Sequence, residues 1–137
     1  MRLDVVTPRG RLVSEEVTEF AGPGVLGEFG VLPGHIPFLS GINAGVLRYR
    51  TAAGEHLVAV GAGFAQVSGG ERIVVLTEEG ALPGDIDVAA AQQEHDEVKR
   101  QLDQWSSDVQ GLRAALEARL RWARARLDAA SAAQTRH

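Results

Sequence analysis

The histidines are the first residues to test for chemistry, because imidazole serves as a metal ligand or a general base near neutral pH. They are His35, His56, His95 and His137. They form no helical His-x-x-x-His pair, and no glutamate accompanies them as in a zinc hydrolase. His95 falls within an apolar helical stripe, which predicts a packed side chain. The histidines therefore predict neither a metal site nor a catalytic base.

Two glutamate pairs have the composition of a general acid and its base, Glu15-Glu16 and Glu78-Glu79. Neighbouring residues on a strand point to opposite faces, so neither pair places two carboxylates in one site. Solvated strand ends explain these pairs better.

The remaining composition excludes several further classes of chemistry. No Gly-x-x-x-x-Gly-Lys-Ser/Thr phosphate loop is present, and the chain has no cysteine, which excludes thiolate nucleophiles, disulfides and sulfur-ligated metals. The net charge of -4 argues against nonspecific nucleic-acid binding, which draws on Lys and Arg neutralising phosphates. We expect no enzyme, no cofactor and no nucleic-acid partner.

The chain changes in composition near residue 84. All five prolines and 15 of the 16 glycines lie within residues 1–84, whereas 12 alanines fall between Ala89 and Ala133. Glycine and proline punctuate strands and turns, and alanine favours helix. The sequence therefore predicts an α+β protein with two domains, residues 1–84 and residues 85–137.

Runs of β-branched residues between turn formers predict strands in the first domain. These runs cover residues 2–7, 16–20, 45–51, 55–60, 64–67 and 72–77. Ala53-Gly54 and Gly69-Gly70 place glycine where a hairpin turn requires positive φ, so hairpins are expected over residues 49–60 and 64–76. The predicted architecture is an antiparallel β-sandwich or barrel.

Two helical stripes predict an antiparallel helical hairpin in the second domain. The first stripe is Val88, Ala91, His95, Val98, Leu102 and Trp105, and the second is Leu112, Leu116, Leu120, Ala123, Leu127 and Ala130. Asp87 is the expected N-cap of the first helix, and residues 106–108, Ser-Ser-Asp, offer the second.

The two predicted helices differ in charge. Residues 85–108 hold seven acids and two bases, whereas residues 109–137 hold six bases and two acids. Two solvated faces of opposite sign explain this balance, and so does a surface for a partner. At about 100° per residue, Trp122 lies nearly opposite the leucine stripe, on the outer face, where a large aromatic side chain calls for a contact.

The densest motif runs from Gly27 to Leu39 and reads Gly-Glu-Phe-Gly-Val-Leu-Pro-Gly-His-Ile-Pro-Phe-Leu. It resembles the signature of ATP synthase epsilon subunits, a Gly-Glu-x-Gly-aliphatic-x-Pro-Gly-His-x-Pro run that leads into an aliphatic pair. Supporting matches lie at residues 3–8, 45–49 and 61–67, so the resemblance covers nearly the whole chain.

The resemblance implies a role for this motif. Its prolines fix φ while Gly30 and Gly34 allow sharp backbone changes, so a rigid protruding loop is expected. In the family, the open end of the sandwich sits on the membrane-embedded c-ring, which makes Glu28 and His35 the expected c-ring contacts. The alternative is that His35 only caps the turn by a hydrogen bond.

Some members of this family bind regulatory ATP on the hairpin through an Ile/Leu-Asp-x-x-Arg-Ala motif and two arginines on the second helix. Here Ile86 and Asp87 remain, but Ala90 stands in the arginine position. On the second helix Arg126 remains while Trp122 replaces its partner arginine. Losing two guanidinium groups removes multidentate phosphate recognition, so weak or absent ATP binding is expected.

The resemblance implies a non-catalytic subunit of the rotary central stalk. The sandwich would bind the gamma subunit and the c-ring, transmitting torque to the hexamer of alpha and beta subunits. The second helix would extend along gamma and place basic residues against an acidic segment of beta, resisting ATP hydrolysis. The residues expected at these partner contacts are Arg113, Arg119, Arg121, Trp122, Arg124 and Arg126.

The resemblance also implies a location on the cytoplasmic face of a bacterial inner membrane, reached only through the complex. No apolar run approaches the roughly 20 residues of a spanning helix, and the start MRLDVVTPRG has no secretory or transit-like pattern. Two alternatives stay open at this point: an ATP-sensing hairpin, and an unrelated β-sandwich binding module with a coiled-coil tail.

Overall fold

A computed structural model describes residues 1–34, 37–69, 71–105 and 110–134. It contains a β-sheet domain followed by two helices. The strands are β1 (Arg2–Thr7), β2 (Gly10–Glu16), β3 (Glu19–Gly24), β4 (Gly27–Val31), β5 (Phe38–Ile42), β6 (Gly45–Thr51), β7 (Gly54–Val60), β8 (Gly63–Ser68), β9 (Arg72–Thr77) and β10 (Gly80–Ala81). A 3₁₀ turn (Pro83–Asp85) leads to α1 (Val88–Asp103) and α2 (Gln110–Gln134).

The strands form one curled sheet in the order β10-β7-β6-β3-β5-β8-β9-β1-β2. Strand β3 pairs with β6 and β5 along one edge, and β4 pairs with its opposite edge. The described pairs are antiparallel except β1 with β9, which run parallel with Leu3 opposite Ile73. The sheet encloses one core whose members alternate along the strands, as a half-buried sheet requires. The largest fully buried side chains of this core include Phe20, Leu3, Ile42, Leu47 and Ile73. This arrangement confirms the predicted sandwich and adds one parallel pair to it.

The predicted strand positions agree with the structure in most places. Residues 2–7, 45–51 and 72–77 match β1, β6 and β9. The predicted strand at 16–20 is wrong, because the chain changes direction there between β2 and β3. Val17 donates its N–H to the carbonyl of Met1 and Thr18 to that of Arg50, so the two residues bond to different strands. Strands β2, β4, β5 and β10 were not predicted, since glycine and charged residues interrupt their β-branched runs.

Helix α1 begins as predicted. The Asp87 carboxylate accepts the Ala90 backbone N–H at 3.0 Å, satisfying one of the unpaired donors of the first turn. The predicted cap of α2 at residues 106–108 lies outside the described residues. Helices α1 and α2 pack together over their length, which confirms the hairpin.

Helix α2 also packs on the outer face of β6 and β7. Ala125 and Ala129 close over Ala59, and Trp122 lies against the same cluster. Strand β7 is therefore buried on both faces, and Leu57, Val58, Ala59 and Val60 are all buried in succession. Helix α2 thus buries residues beyond its predicted stripe, because Ala125 and Ala129 allow a close approach to the sheet.

Candidate functional site

The epsilon-like motif is mostly strand in the structure. Residues 27–31 form β4, and β5 begins at Phe38; between them the structure describes residues 32–34 and 37. Gly34 has φ of +84°, which favours glycine, whereas Gly30 lies in extended strand. The expectation of a loop over the whole motif is therefore wrong, because hydrogen bonding to β3 extends the sheet into it.

The structure describes one of the two predicted c-ring residues. Glu28 lies on β4, exposed, and forms an ion pair with Arg48 of β6. Its carboxylate is thus positioned by an arginine from the far side of β3 and remains open to solvent. His35 lies outside the described residues. The expectation for both residues stays a prediction.

A row of exposed apolar side chains crosses the sheet away from the helices. Leu76 lies opposite Phe64 in the β8–β9 register, Phe64 lies opposite Gly41, and Val25 donates its N–H to the Gly41 carbonyl. Val6 pairs with Leu76 on the other side. We call this set, Val6, Val25, Phe64 and Leu76, the apolar row.

The apolar row remains uncovered within the described residues. Val25, Phe64 and Leu76 are 53%, 59% and 54% exposed, and a groove of about 930 Å³ runs along the row. Gly41 has no side chain to fill this groove, and a Cβ added there would come within 3.1 Å of Val25. Large apolar side chains in an uninterrupted patch are typical of protein interfaces. Leu26, at the turn between β3 and β4, and Leu39 add further exposed apolar area.

The predicted basic residues of α2 fall into two groups. Arg113 pairs with Glu117 along the helix at 2.9 Å, and Arg119 approaches Glu94 of α1 at 3.6 Å. Arg121 and Arg124 are exposed, and no described carboxylate lies within 4.0 Å of either. These two guanidinium groups are therefore exposed without a described ion pair.

Trp122 and Arg126 are held inside the hairpin-to-sheet contact. Trp122 is half-buried beside Ala59, Ala125 and Ala129, so its predicted outward position is wrong in this conformation. The Arg126 guanidinium lies 5.2 Å from the Trp122 ring centroid, within cation–π range, and donates to Glu94 at 2.8 Å. The large aromatic side chain does make a contact, but the contact is with the sandwich of its own chain.

The three residues considered for nucleotide binding have intramolecular roles. Ile86 packs against the cluster of Ala59, Ala125 and Ala129. Asp87 caps α1, and Arg126 is paired with Glu94. A nucleotide phosphate would have to displace a carboxylate from Arg126. The expectation of weak ATP binding stays a prediction.

The other titratable groups are structural. His95 lies 3.0 Å from the Asp96 carboxylate, and His56 stacks on Tyr49 while contacting the Thr51 hydroxyl at 2.9 Å. Burial, with a contribution from Glu15, raises the pKa of Tyr49 to about 12. Among the described residues, no group of three or more His, Asp or Glu is placed to hold a metal ion.

Comparison with known proteins agrees with this arrangement. The family model of the β-sandwich domain of the ATP synthase delta/epsilon chain matches residues 1–83. The ATP synthase epsilon chain of Anaeromyxobacter dehalogenans strain 2CP-C is 39% identical over 130 residues, which is 95% of this chain and 97% of the relative. That of Nitratidesulfovibrio vulgaris strain DP4 is 40% identical over 114 residues, 83% of this chain and 84% of the relative.

Solved structures share the fold. A chain of the Euglena gracilis mitochondrial ATP synthase, in an assembly with OSCP, F1 and the c-ring, superposes with a TM-score of 0.76 at 22% identity. The alignment covers 93% of this chain and 79% of that one. A chain of the Tetrahymena thermophila enzyme, from its central stalk and c-ring, gives a TM-score of 0.66 at 14% identity over 95% and 96%.

The fold defines a small protein with a β-sandwich followed by a helical hairpin. The chain belongs to the delta/epsilon chain family of ATP synthase. This membership overturns the alternative of an unrelated β-sandwich module.

Sequence reasoning missed the apolar row and the role of Glu94. A signal for the row existed: Phe64 alternates with buried Ala65 and Val67, which places an apolar side chain on the outward phase of β8. Glu94 gave no comparable signal, because its two arginine partners come from a different helix.

Proposed function

We propose that this chain is a non-catalytic central-stalk subunit of a rotary ATP synthase. Residues 1–84 bind the gamma subunit and the c-ring and transmit torque to the hexamer of alpha and beta subunits. Residues 85–137 regulate the enzyme by resisting ATP hydrolysis. The chain reaches the cytoplasmic face of a bacterial inner membrane through the complex, and neither described helix is long and apolar enough to cross a bilayer.

The apolar row is the observation that carries the docking part of this proposal. It spans strands β1, β8 and β9 and the turn after β3, so it is wide enough to receive a helix or strand of another subunit. The hairpin packs on β6 and β7 and leaves the row accessible. We assign gamma to the row and the c-ring to the end that carries Glu28, with His35 as the second c-ring contact predicted from the motif.

The regulatory part rests on the charge of α2. Arg121 and Arg124 project from a segment that holds six bases and two acids, and they have the chemistry to meet an acidic surface of the beta subunit. Arg113 and Arg119 lie nearby in ion pairs that solvent reaches. Such exposed pairs are weak and exchange readily for a partner's carboxylates.

The docking assignment is tested by adding charge to the row. In Phe64→Glu and Leu76→Glu, a carboxylate is desolvated against an apolar partner, so recovery of gamma with the tagged chain should fall at least about tenfold. Both positions are exposed, so the thermal unfolding midpoint of the isolated chain should change little.

Leu112→Glu is the matched control, because Leu112 is 58% exposed on α2 and lies off the row. It should leave recovery of gamma at the wild-type level. Equal recovery of gamma by all three variants would overturn the assignment of the row.

A further inference from the structure

Glu94 of α1 is placed between two arginines of α2. Its Oε2 accepts from Arg126 Nη2 at 2.8 Å, and its Oε1 lies 3.6 Å from Arg119 Nε. Each carboxylate oxygen therefore faces a different cation. One carboxylate, with a single negative charge, thus contacts two arginines of α2 and crosses the interface between the helices.

The Arg126 partner is the more buried of the two cations. The side chain of Arg126 is 17% exposed and that of Glu94 is 28% exposed, so both have lost much of their hydration. Arg126 Nε is buried without a described hydrogen-bond partner, which makes its guanidinium depend further on Glu94. An arginine left here without a counter-ion would be costly.

The same arginine connects the ion pair to the sheet. Arg126 stacks on Trp122, and Trp122 packs against Ala59 of β7. A continuous set of contacts thus runs from α1 through Glu94, Arg126 and Trp122 to the sandwich. Loss of the carboxylate charge affects both contacts of α2, the one with α1 and the one with the sheet.

We propose that Glu94 is an internal counter-ion that keeps the hairpin closed, masks Arg126 from an acidic partner and competes with that partner for the exposed Arg119. To engage both arginines, a partner has to supply carboxylates that replace Glu94. The masking part rests on the proposed regulatory function, whereas the closing part concerns the isolated chain alone.

The closing part is tested by hydrogen exchange of the isolated full-length chain with Glu94→Gln. The amide is nearly isosteric, so it removes the charge and keeps the packing volume. Opening of the hairpin should raise exchange of the backbone amides in residues 110–134 roughly tenfold, while the core strands exchange at the wild-type rate.

Glu97→Gln on the exposed face of α1 is the matched control and should leave α2 exchange unchanged. A second comparison uses Arg126→Gln alone and the double variant with Glu94→Gln: adding Glu94→Gln to Arg126→Gln should raise α2 exchange less than Glu94→Gln does in the wild type, because the Glu94–Arg126 pair is then already absent. Unchanged exchange in Glu94→Gln, or additive effects in the double variant, would overturn the closing role.

The masking part is tested in the assembled ATP synthase by the rate of ATP hydrolysis. Glu94→Gln should lower this rate relative to wild type, since Arg119 and Arg126 become available, and Glu97→Gln should not. If removal of residues 86–137 raises hydrolysis but Glu94→Gln leaves it unchanged, masking is wrong. If that removal also changes nothing, the regulatory function itself fails, while the exchange result still decides whether Glu94 closes the hairpin.

Discussion

At the residue scale, Asp4 shows how a buried carboxylate is kept charged. Its Oδ1 accepts from the Ser14 hydroxyl at 2.7 Å, and Arg72 and Arg11 lie 3.4 and 3.6 Å away. The Ser14 hydrogen bond, with smaller contributions from the arginines, lowers the pKa of Asp4 below its ordinary 3.8. We expect Asp4→Asn to lower the free energy of unfolding at pH 7 by about 2 kcal/mol.

The pH dependence of this effect has a definite sign. Because the folded pKa is lowered, the contribution of Asp4 is fully present above pH 3.8 and is lost as the pH falls through the folded value. Denaturant unfolding of the wild type and of Asp4→Asn should therefore converge in acid. Asp103→Asn, at an exposed site, is the control and should stay within about 0.5 kcal/mol of wild type. A gap between wild type and Asp4→Asn that is as large at pH 2 as at pH 7 contradicts the prediction.

At the scale of elements, Gly63 allows β8 to approach β9. A Cβ at this position would lie 1.9 Å from the Leu76 carbonyl oxygen and 2.8 Å from Thr77 Cα, both of them backbone atoms of β9. The strands must separate to admit a methyl group, so Gly63→Ala should destabilise the chain by about 3 kcal/mol. The midpoint of urea unfolding measures this loss.

Gly84→Ala is the comparison for that substitution. Nothing lies within 4 Å of an added Cβ at Gly84, and its φ is not in the left-handed region. The substitution should be neutral or slightly stabilising, by up to about 0.5 kcal/mol. Equal midpoints for the two variants would show that β8 and β9 can move apart freely.

Elements also mark the limit of what the sequence predicts. Local patterns give β1, β6, β9 and both helices, because alternation, turn glycines and the Asp87 cap are encoded within a few residues. The parallel pairing joins β1 and β9, which lie near opposite ends of the β-domain sequence, so no local pattern encodes it. The burial of both faces of β7 could not be predicted locally either, because it depends on the alanines of α2 that pack on this strand.

The candidate site shows the same difference between local features, which the sequence predicts, and long-range contacts, which it does not. The basic set of α2 can be predicted from composition, since the clustering of arginines on one helix is a local property. The pairing of Arg126 with Glu94 and the packing of Trp122 on Ala59 depend on how the two helices dock, so helical periodicity alone placed Trp122 outside. Long-range contacts therefore determine which predicted cations remain exposed.

At the scale of the whole molecule, the sandwich and the hairpin have separate hydrophobic contacts. Every buried member of the main core cluster comes from residues 3–75, whereas the hairpin touches the sheet through the smaller cluster at Ala59. A chain lacking residues 86–137 should therefore fold and still assemble with gamma, because the apolar row and the main core are intact. The loss of stability caused by this truncation should come only from the newly exposed surface of β6 and β7.

Removal of the hairpin should raise ATP hydrolysis by the assembled enzyme, because the proposed regulatory contact would lose the exposed cations of α2. The double variant Arg121→Ala with Arg124→Ala should show part of that increase in the rate of ATP hydrolysis. This part should shrink at high salt, because salt screens exposed charges. Lys99→Ala with Arg100→Ala removes the same charge from α1 and should leave the rate unchanged. The measurement is steady-state ATP hydrolysis at matched content of this subunit, and a truncated enzyme no faster than wild type rules out inhibition by the hairpin.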